Sequence, residues 1–122
     1  MIWTSPYDAV EVGGTTLPQM VLETARRAGD RPALVEGESG AAVSYAELAG
    51  RIEALAAGCA ARGFREGDVL ALWAPNLPGW AEVALGAMAA GGSVTGVSPG
   101  AGERELKAQL RDSGASLLVT MP

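Results

Sequence analysis

The chain has 122 residues, 48% of them hydrophobic and 19% charged, which is typical of one folded domain with a buried core. Its formal net charge of -5 opposes binding to nucleic acid or anionic membranes, because both need clustered Lys and Arg. The absence of histidine excludes Ser-His-Asp catalysis and imidazole metal sites, and a single cysteine excludes an intrachain disulfide.

The N-terminal residues indicate a cytoplasmic protein. They lack the basic start and the continuous apolar stretch of a secretory signal. The long weakly charged stretch between Asp68 and Glu103 is interrupted by Pro75, Pro78 and Pro99 and is rich in Ala and Gly, so we interpret it as a buried core and not as a membrane span.

A first helix is predicted over residues 17–28. Thr16 and Gln19 have the spacing of a capping box, and Gly29 can adopt the left-handed conformation that ends a helix. We expect the apolar face of this helix to consist of Leu17, Met20, Val21, Ala25 and Ala28.

A hairpin and a second helix are expected next. Two short strands, Ala33–Glu36 and Ala42–Ser44, flank a Gly-Glu-Ser-Gly turn. Ser44 and Glu47 form a second capping box, Glu47 and Arg51 have the spacing of an ion pair, and Gly63 ends the helix. The apolar stripe of this helix is Leu48, Ile52, Leu55 and Cys59.

The second half of the chain alternates strands and helices. VLALW at 69–73 is apolar throughout, as in a strand covered on both faces, and SVTGV at 93–97 and Ser116–Thr120 supply two more strands. Helices are predicted at about 79–90, capped by Asn76, and at about 103–113, where Glu103 pairs with Lys107. This order predicts an α/β fold with three parallel strands joined by crossover helices.

Ligands of an open α/β sheet bind beyond the carboxyl ends of its strands, which points to the loops Ala74–Gly79 and Ser98–Gly102. The first loop lacks the Gly-rich turn and the lysine of a triphosphate site. The second is followed by Glu103 and Glu105, which would repel an anion. We interpret both loops as structural turns.

The remaining reactive side chains favour structural roles. The carboxylate pairs Asp8 and Glu11, Glu36 and Glu38, and Glu103 and Glu105 lie in polar surroundings and are expected to be solvated. Cys59 is expected in the core, Trp73 and Trp80 as core or interface anchors, and Trp3 and Tyr7 in an extended arm. We therefore assign no catalytic, cofactor-binding or metal-binding residue.

Several short motifs occur along the chain in a distinctive order: Ser44-Tyr45-Ala46-Glu47-Leu48, Gly67-Asp68-Val69, Pro75-Asn76, Gly86 with Gly91, Pro99 and Glu105-Leu106. By the order and spacing of these motifs, residues 15–120 resemble the N-terminal region of the adenylate-forming acyl-CoA synthetases, among them fatty acid:CoA ligases and 4-coumarate:CoA ligases. The loop Ser98–Gly102 departs from the Asn-Pro and Tyr-Thr often found there in relatives.

The resemblance implies a two-step chemistry, in which a carboxylate and ATP form an acyl-adenylate and coenzyme A then displaces AMP, with Mg²⁺ offsetting phosphate charge. The phosphate loop, the adenine-site residues and the catalytic lysine of that family have no counterpart here, so this chain is expected to bind none of these cofactors and to be inactive alone. Residues 1–14 are expected to form an extended N-terminal arm. Over residues 15–122 the resemblance implies a partial N-terminal α/β domain truncated before the phosphate loop. The partner would be the rest of the same enzyme or a complementing polypeptide.

Two other functions stay open at this point. One is a non-catalytic α/β interaction module that docks its exposed sheet face or edge on a partner or on a copy of itself. The other is a small nucleotide- or flavin-binding protein. Which acid a complete ligase would activate, aromatic or fatty, is not encoded in these residues.

Overall fold

The computed structural model describes residues 3–9, 11 and 13–121. Of the arm expected over residues 1–14, Met1, Ile2, Val10 and Val12 lie outside the described residues, as does Pro122, and the described part of the arm has no helix or strand. The elements follow the predicted order within about two residues: α1 (Leu17–Ala28), β1 (Pro32–Val35), β2 (Ala42–Ser44), α2 (Tyr45–Ala61), β3 (Val69–Trp73), α3 (Pro78–Ala89), β4 (Ser93–Val97), α4 (Glu103–Ser113) and β5 (Leu117–Thr120).

The expected parallel sheet is present and has the strand order β4-β3-β5. β3 pairs in parallel with both neighbours, and its Leu70 is level with Val94 of β4 and Leu117 of β5. The hairpin forms a separate antiparallel pair, β1-β2. Because β3 lies between two strands, its Ala71 is fully buried and its Leu70 is 1% exposed, as the uninterrupted apolar run predicts.

Helices cover both faces of the sheet. On one face Leu70 and Leu72 pack with Ala84 and Ala87 of α3 and with Phe64. On the other face Ala71 and Val97 pack against α4. A third cluster joins α1, α2 and the hairpin around Val43, Leu48 and Ile52. The molecule is thus a small α/β layer structure with the hairpin and α1 packed beside α2.

The predicted apolar face of α1 is wrong at two positions. Leu17 and Met20 are each 55% exposed, whereas Pro18, Ala25 and Ala28 are buried. Val21 and Leu22 contact the cluster around Ile52, so the buried stripe is rotated towards Pro18 and Leu22. Gly29 has a positive φ of 59° but a ψ of -126°, which is outside the left-handed helical region that we predicted.

Two of the three predicted side-chain caps are confirmed. Thr16 with Gln19 and Ser44 with Glu47 both form complete capping boxes. The prediction that Asn76 caps α3 is wrong, since the N-cap residue is Leu77 and it makes no side-chain cap bond. The helix begins at Pro78, so Asn76 lies one residue too early for its side chain to reach the first turn.

The predicted ion pair between Glu47 and Arg51 is replaced by a pair between helices. The Arg51 guanidinium donates to Glu82 Oε1 of α3 at 2.7 Å. The Glu47 carboxylate instead accepts hydrogen bonds from the Ser44 backbone N–H and hydroxyl, and these bonds lower the pKa of Glu47. Arg51 therefore joins α2 to α3, which pack closely along the core.

Within the described ranges, no helix has the length and apolar character needed to cross a membrane.

Candidate functional site

The carboxyl ends of β3 and β4 lie side by side, as predicted for the two candidate loops. Trp73 is the last residue of β3, and its indole Nε1 donates to the backbone oxygen of Ser98 just after β4, at 3.0 Å. This bond fixes the start of Ala74–Gly79 next to the start of Ser98–Gly102. The Trp73 side chain therefore acts as an anchor between the two loops, which confirms its predicted structural role.

A shallow cavity of about 330 Å³ lies against the first loop. Asn76, Leu77 and Pro78 form one wall, and Trp80 and Ala81 of α3 extend it. The opposite wall is the hairpin, through residues 34–37. The sequence analysis did not connect the hairpin with this loop, because about forty residues separate them and they meet only through tertiary packing, in which Leu34 of the hairpin and Leu85 of α3 join one cluster.

The Glu36 carboxylate organises the hairpin turn on the cavity wall. It accepts the backbone N–H groups of Glu38 at 3.0 Å and Ser39 at 2.6 Å. Hydrogen bonds from the Ser39 side chain and from these two N–H groups lower the pKa of Glu36 from 4.5 to about 2. Glu36 is therefore ionised at neutral pH and is not suited to exchange protons there.

The second loop is a closed turn. Ala101 N–H donates to Ser98 O at 2.9 Å, and the Ala101 side chain is only 7% exposed. Gly102 is the N-cap residue of α4 without a side-chain cap bond, and Glu103 and Glu105 stand in the first turn. This arrangement favours the structural interpretation over an anion site, because the two carboxylates oppose negative charge at the helix start.

The described residues do not fit a magnesium–triphosphate site. The only lysine of the chain, Lys107, forms an ion pair with Glu103 on the exposed face of α4. No three His, Cys, Asp or Glu side chains come together as possible metal ligands anywhere in 3–9, 11 and 13–121. Neither the lysine of a phosphate loop nor a carboxylate set for Mg²⁺ is assembled here.

A larger and more apolar hollow lies away from the carboxyl ends of the strands, between α2 and the edge strand β5. We call it the α2–β5 groove; its volume is about 550 Å³. Cys59, which was expected inside the core, is half-buried on its wall. The groove is lined by Ala54, Leu55, Gly58, Cys59, Arg62, Leu70, Val83, Leu117, Leu118 and Val119.

Comparison with known proteins gives the class. Residues 21–122 match the family described as AMP-binding enzyme, so the chain belongs to this family of adenylate-forming enzymes. The 4-coumarate--CoA ligase-like 9 protein of Oryza sativa subsp. japonica is 39% identical over 97% of the chain. A feruloyl-CoA synthase of an Amycolatopsis species is 40% identical over 68% of the chain.

The fold is shared with a solved structure as well. The Klebsiella oxytoca NpsA N-terminal subdomain in complex with 3-hydroxyanthranilyl-AMSN matches with a TM-score of 0.79 and 28% identity over 85% of this chain. This chain spans 22% of the rice relative, 17% of the Amycolatopsis relative and 26% of the NpsA subdomain. The architecture is thus that of one part of an N-terminal adenylation subdomain.

Proposed function

We propose that this chain is the opening part of the N-terminal domain of an ATP-dependent, AMP-forming carboxylic acid:CoA ligase, and that it has no ligase activity alone. The observation that carries the proposal is the match of 97% of the chain to a relative named as 4-coumarate--CoA ligase-like, together with a match of 68% of the chain to a feruloyl-CoA synthase. The residues of this chain then act as scaffold, and the acyl pocket belongs to polypeptide outside it.

The geometry supports a scaffold role. The carboxyl edge of the sheet is closed by the Trp73–Ser98 bond and by a turn at Ala101. Glu36, the carboxylate beside the cavity, already accepts hydrogen bonds from the backbone N–H groups of its own turn. On this proposal ATP, Mg²⁺ and coenzyme A are bound by other parts of the complete enzyme.

The inactivity of the chain is tested directly. The purified chain is incubated with ATP, Mg²⁺ and coenzyme A together with 4-coumarate, ferulate or a medium-chain fatty acid, and pyrophosphate release is measured. We expect no release above that of a sample without acid. Acid-dependent turnover by the pure chain would contradict this part of the proposal.

The scaffold role is tested in a chimera. Residues 21–121 of this chain replace the corresponding N-terminal segment of the Amycolatopsis feruloyl-CoA synthase, of which 83 residues align with this chain, and formation of feruloyl-CoA is assayed. We expect activity with ferulate, because the strands and helices of the segment would support the host's own catalytic residues. The same chimera with Gly86→Leu, which would force α2 and α3 apart, is the control and should lose activity. A folded but inactive parent chimera would overturn the proposal.

One observation favours the second candidate, a non-catalytic interaction module. Within the described residues β4 and β5 each pair with β3 alone, so both are edge strands open for pairing, and the apolar α2–β5 groove lies beside β5. Light scattering after size-exclusion chromatography distinguishes the interaction module from the scaffold segment, because it measures the oligomeric state of the chain. A stable dimer at micromolar concentration would favour the module, whereas a monomer is expected for a scaffold segment.

A further inference from the structure

The cavity of about 330 Å³ between hairpin residues 34–37 and the start of α3, here called the hairpin–α3 cavity, holds an unbalanced negative charge. Among the described residues that line it, Glu36 is the only charged one. The two ion pairs of the described chain join Arg51 to Glu82 and Lys107 to Glu103, so neither involves Glu36. The cavity therefore presents a carboxylate without a cationic partner from this chain.

The Glu36 carboxylate has room for a further hydrogen-bond donor. An ionised carboxylate offers about four acceptor positions on its two oxygens. The backbone N–H groups of Glu38 and Ser39 use one position on each oxygen, and a hydrogen bond from the Ser39 side chain uses a third. These bonds hold the carboxylate in place and ionised. A charged donor bonds to such a group about twice as strongly as a neutral one, so a cation is the favoured partner.

The remaining lining of the hairpin–α3 cavity is largely apolar and includes an aromatic ring. Trp80 of α3 is half-buried on one wall. Val35, on the opposite wall, is 61% exposed. Trp is the strongest cation–π partner among the side chains, and the methylene stem of a long cation covers apolar surface such as that of Val35. The lining thus suits a cation at the end of an apolar stem.

The start of α3 opposes such a cation, but with a smaller charge than that of Glu36. Pro78 begins the helix on the cavity wall, and a helix N-terminus carries only about half of a positive charge. A planar guanidinium combines stacking on an aromatic ring with bonding to a carboxylate. We propose that the hairpin–α3 cavity binds a guanidinium group on an apolar stem, with its charge paired to Glu36 and its plane against Trp80.

Binding is measured by NMR on the ¹⁵N-labelled chain, in which the indole N–H of each tryptophan gives its own signal. The Trp80 signal is assigned by its loss in Trp80→Phe. The probe is n-butylguanidinium, titrated at constant ionic strength, and n-butylurea is the matched ligand of the same shape without charge. We expect a saturable shift of the Trp80 signal with n-butylguanidinium and none with n-butylurea. The Trp73 signal serves as the internal reference, because its indole donates to Ser98 outside the cavity lining.

Two variants of the hairpin turn locate the site. Glu36→Gln is expected to weaken binding of n-butylguanidinium at least about tenfold, since a hydrogen bond to a charged group is worth that factor or more. The matched control is Glu38→Gln, because Glu38 is exposed in the same turn and is not part of the cavity lining. It should change the affinity by less than about twofold, as its charge is screened by solvent and salt. If Glu36→Gln disturbs the turn, the comparison of the two ligands on the parent chain still decides.

The peptide acetyl-Gly-Arg-Gly-amide distinguishes two sources of the guanidinium. Tighter binding of the peptide than of n-butylguanidinium assigns the cavity to an arginine of a polypeptide partner, and equal or weaker binding assigns it to a small guanidine. Equal shifts with n-butylguanidinium and n-butylurea overturn the proposal, as does the absence of a saturable shift or an unchanged affinity of folded Glu36→Gln. None of these measurements involves ligase chemistry, so their outcome is independent of the proposed scaffold function.

Discussion

At the residue scale, two glycines in helices show how the same amino acid serves different purposes. A Cβ added to Gly86 of α3 would lie 2.5 Å from the Cβ of Leu55 on α2. A Cβ added to Gly50 of α2 would meet nothing within 4 Å. Gly86 therefore sets the close approach of α2 and α3, whereas Gly50 only weakens its own helix.

Gly86→Ala is expected to lower the free energy of unfolding by about 1–3 kcal/mol, because the added methyl overpacks the contact with Leu55. Gly50→Ala is expected to raise it by about 0.5–1 kcal/mol through the lower backbone entropy of the unfolded chain. Urea denaturation of the two variants measures both changes. If both substitutions changed the free energy of unfolding by the same amount and in the same direction, helix propensity, and not the contact between α2 and α3, would govern these positions.

Glu36 gives a pH-dependent prediction. Its pKa in the folded chain is about 2, against an ordinary value of 4.5. A lowered pKa means that the stabilisation by this carboxylate is complete above pH 4.5 and is lost as the pH falls towards about 2. Glu36→Gln should therefore lower the melting temperature at pH 7, and the difference from the parent chain should vanish near pH 2.

The control for this measurement is Glu38→Gln, which removes the same charge from the same turn while leaving the hydrogen bonds to Glu36 in place. Thermal melts followed by circular dichroism between pH 2 and 7 provide the comparison. A difference between Glu36→Gln and the parent that persisted unchanged at pH 2 would contradict the hydrogen-bond explanation.

At the element scale, the helix starts were largely predictable because capping is local. The side chains of Ser44 and Glu47 satisfy backbone groups within three residues of themselves. No tertiary contact is needed for that arrangement. Asn76 was mispredicted because the start of α3 depends on Pro78, which shifts the cap position to Leu77.

Ser44→Ala is expected to lower the free energy of unfolding by about 1 kcal/mol, because the N–H of Glu47 loses its acceptor. Ser44→Thr keeps an acceptor oxygen at the cap and should lose only a small part of that stability. Chemical denaturation of the two variants tests the assignment. Equal losses for Ala and Thr would point to packing of Ser44 and not to capping.

The ion pair between α2 and α3 is expected to contribute little to stability. Arg51 is 47% and Glu82 12% exposed in their side chains, and the charged atoms are 2.7 Å apart. A double-mutant cycle with Arg51→Ala and Glu82→Ala should give a coupling free energy of about 0.2–1 kcal/mol that falls with added salt. The matched cycle of Arg51 with Glu47 should give a smaller coupling, because the Arg51 charge is the last of the causes that lower the pKa of Glu47. A coupling larger than that with Glu82 would favour the pair predicted from the sequence.

At the scale of the whole molecule, stability is expected to be unequal across the sheet. β3 pairs with a strand on each side, whereas β5 pairs with β3 alone among the described residues. Hydrogen exchange monitored by mass spectrometry should show the amides of β3 to be protected the most in the isolated chain and those of β5 to exchange at least about tenfold faster.

The same measurement in the feruloyl-CoA synthase chimera should show slower exchange in β5, because docking of the host's remainder would pair its free edge. The amides of α4, on the far side of the sheet from the groove, serve as the internal reference. Protection of β5 in the isolated chain at the level of β3 would mean that the edge is already stable without a partner.

The sequence by itself determined the order of helices and strands, the parallel arrangement, two capping boxes and the family resemblance that the comparisons confirm. These features depend on residues close together in the chain, or on hydrophobic periods that any packing must respect. Only the tertiary structure decided which side of α1 is buried, that Arg51 pairs with Glu82, and that Cys59 lies on a groove wall. Each of these features depends on contacts between elements that are far apart in the chain, and local sequence patterns do not specify which elements come into contact.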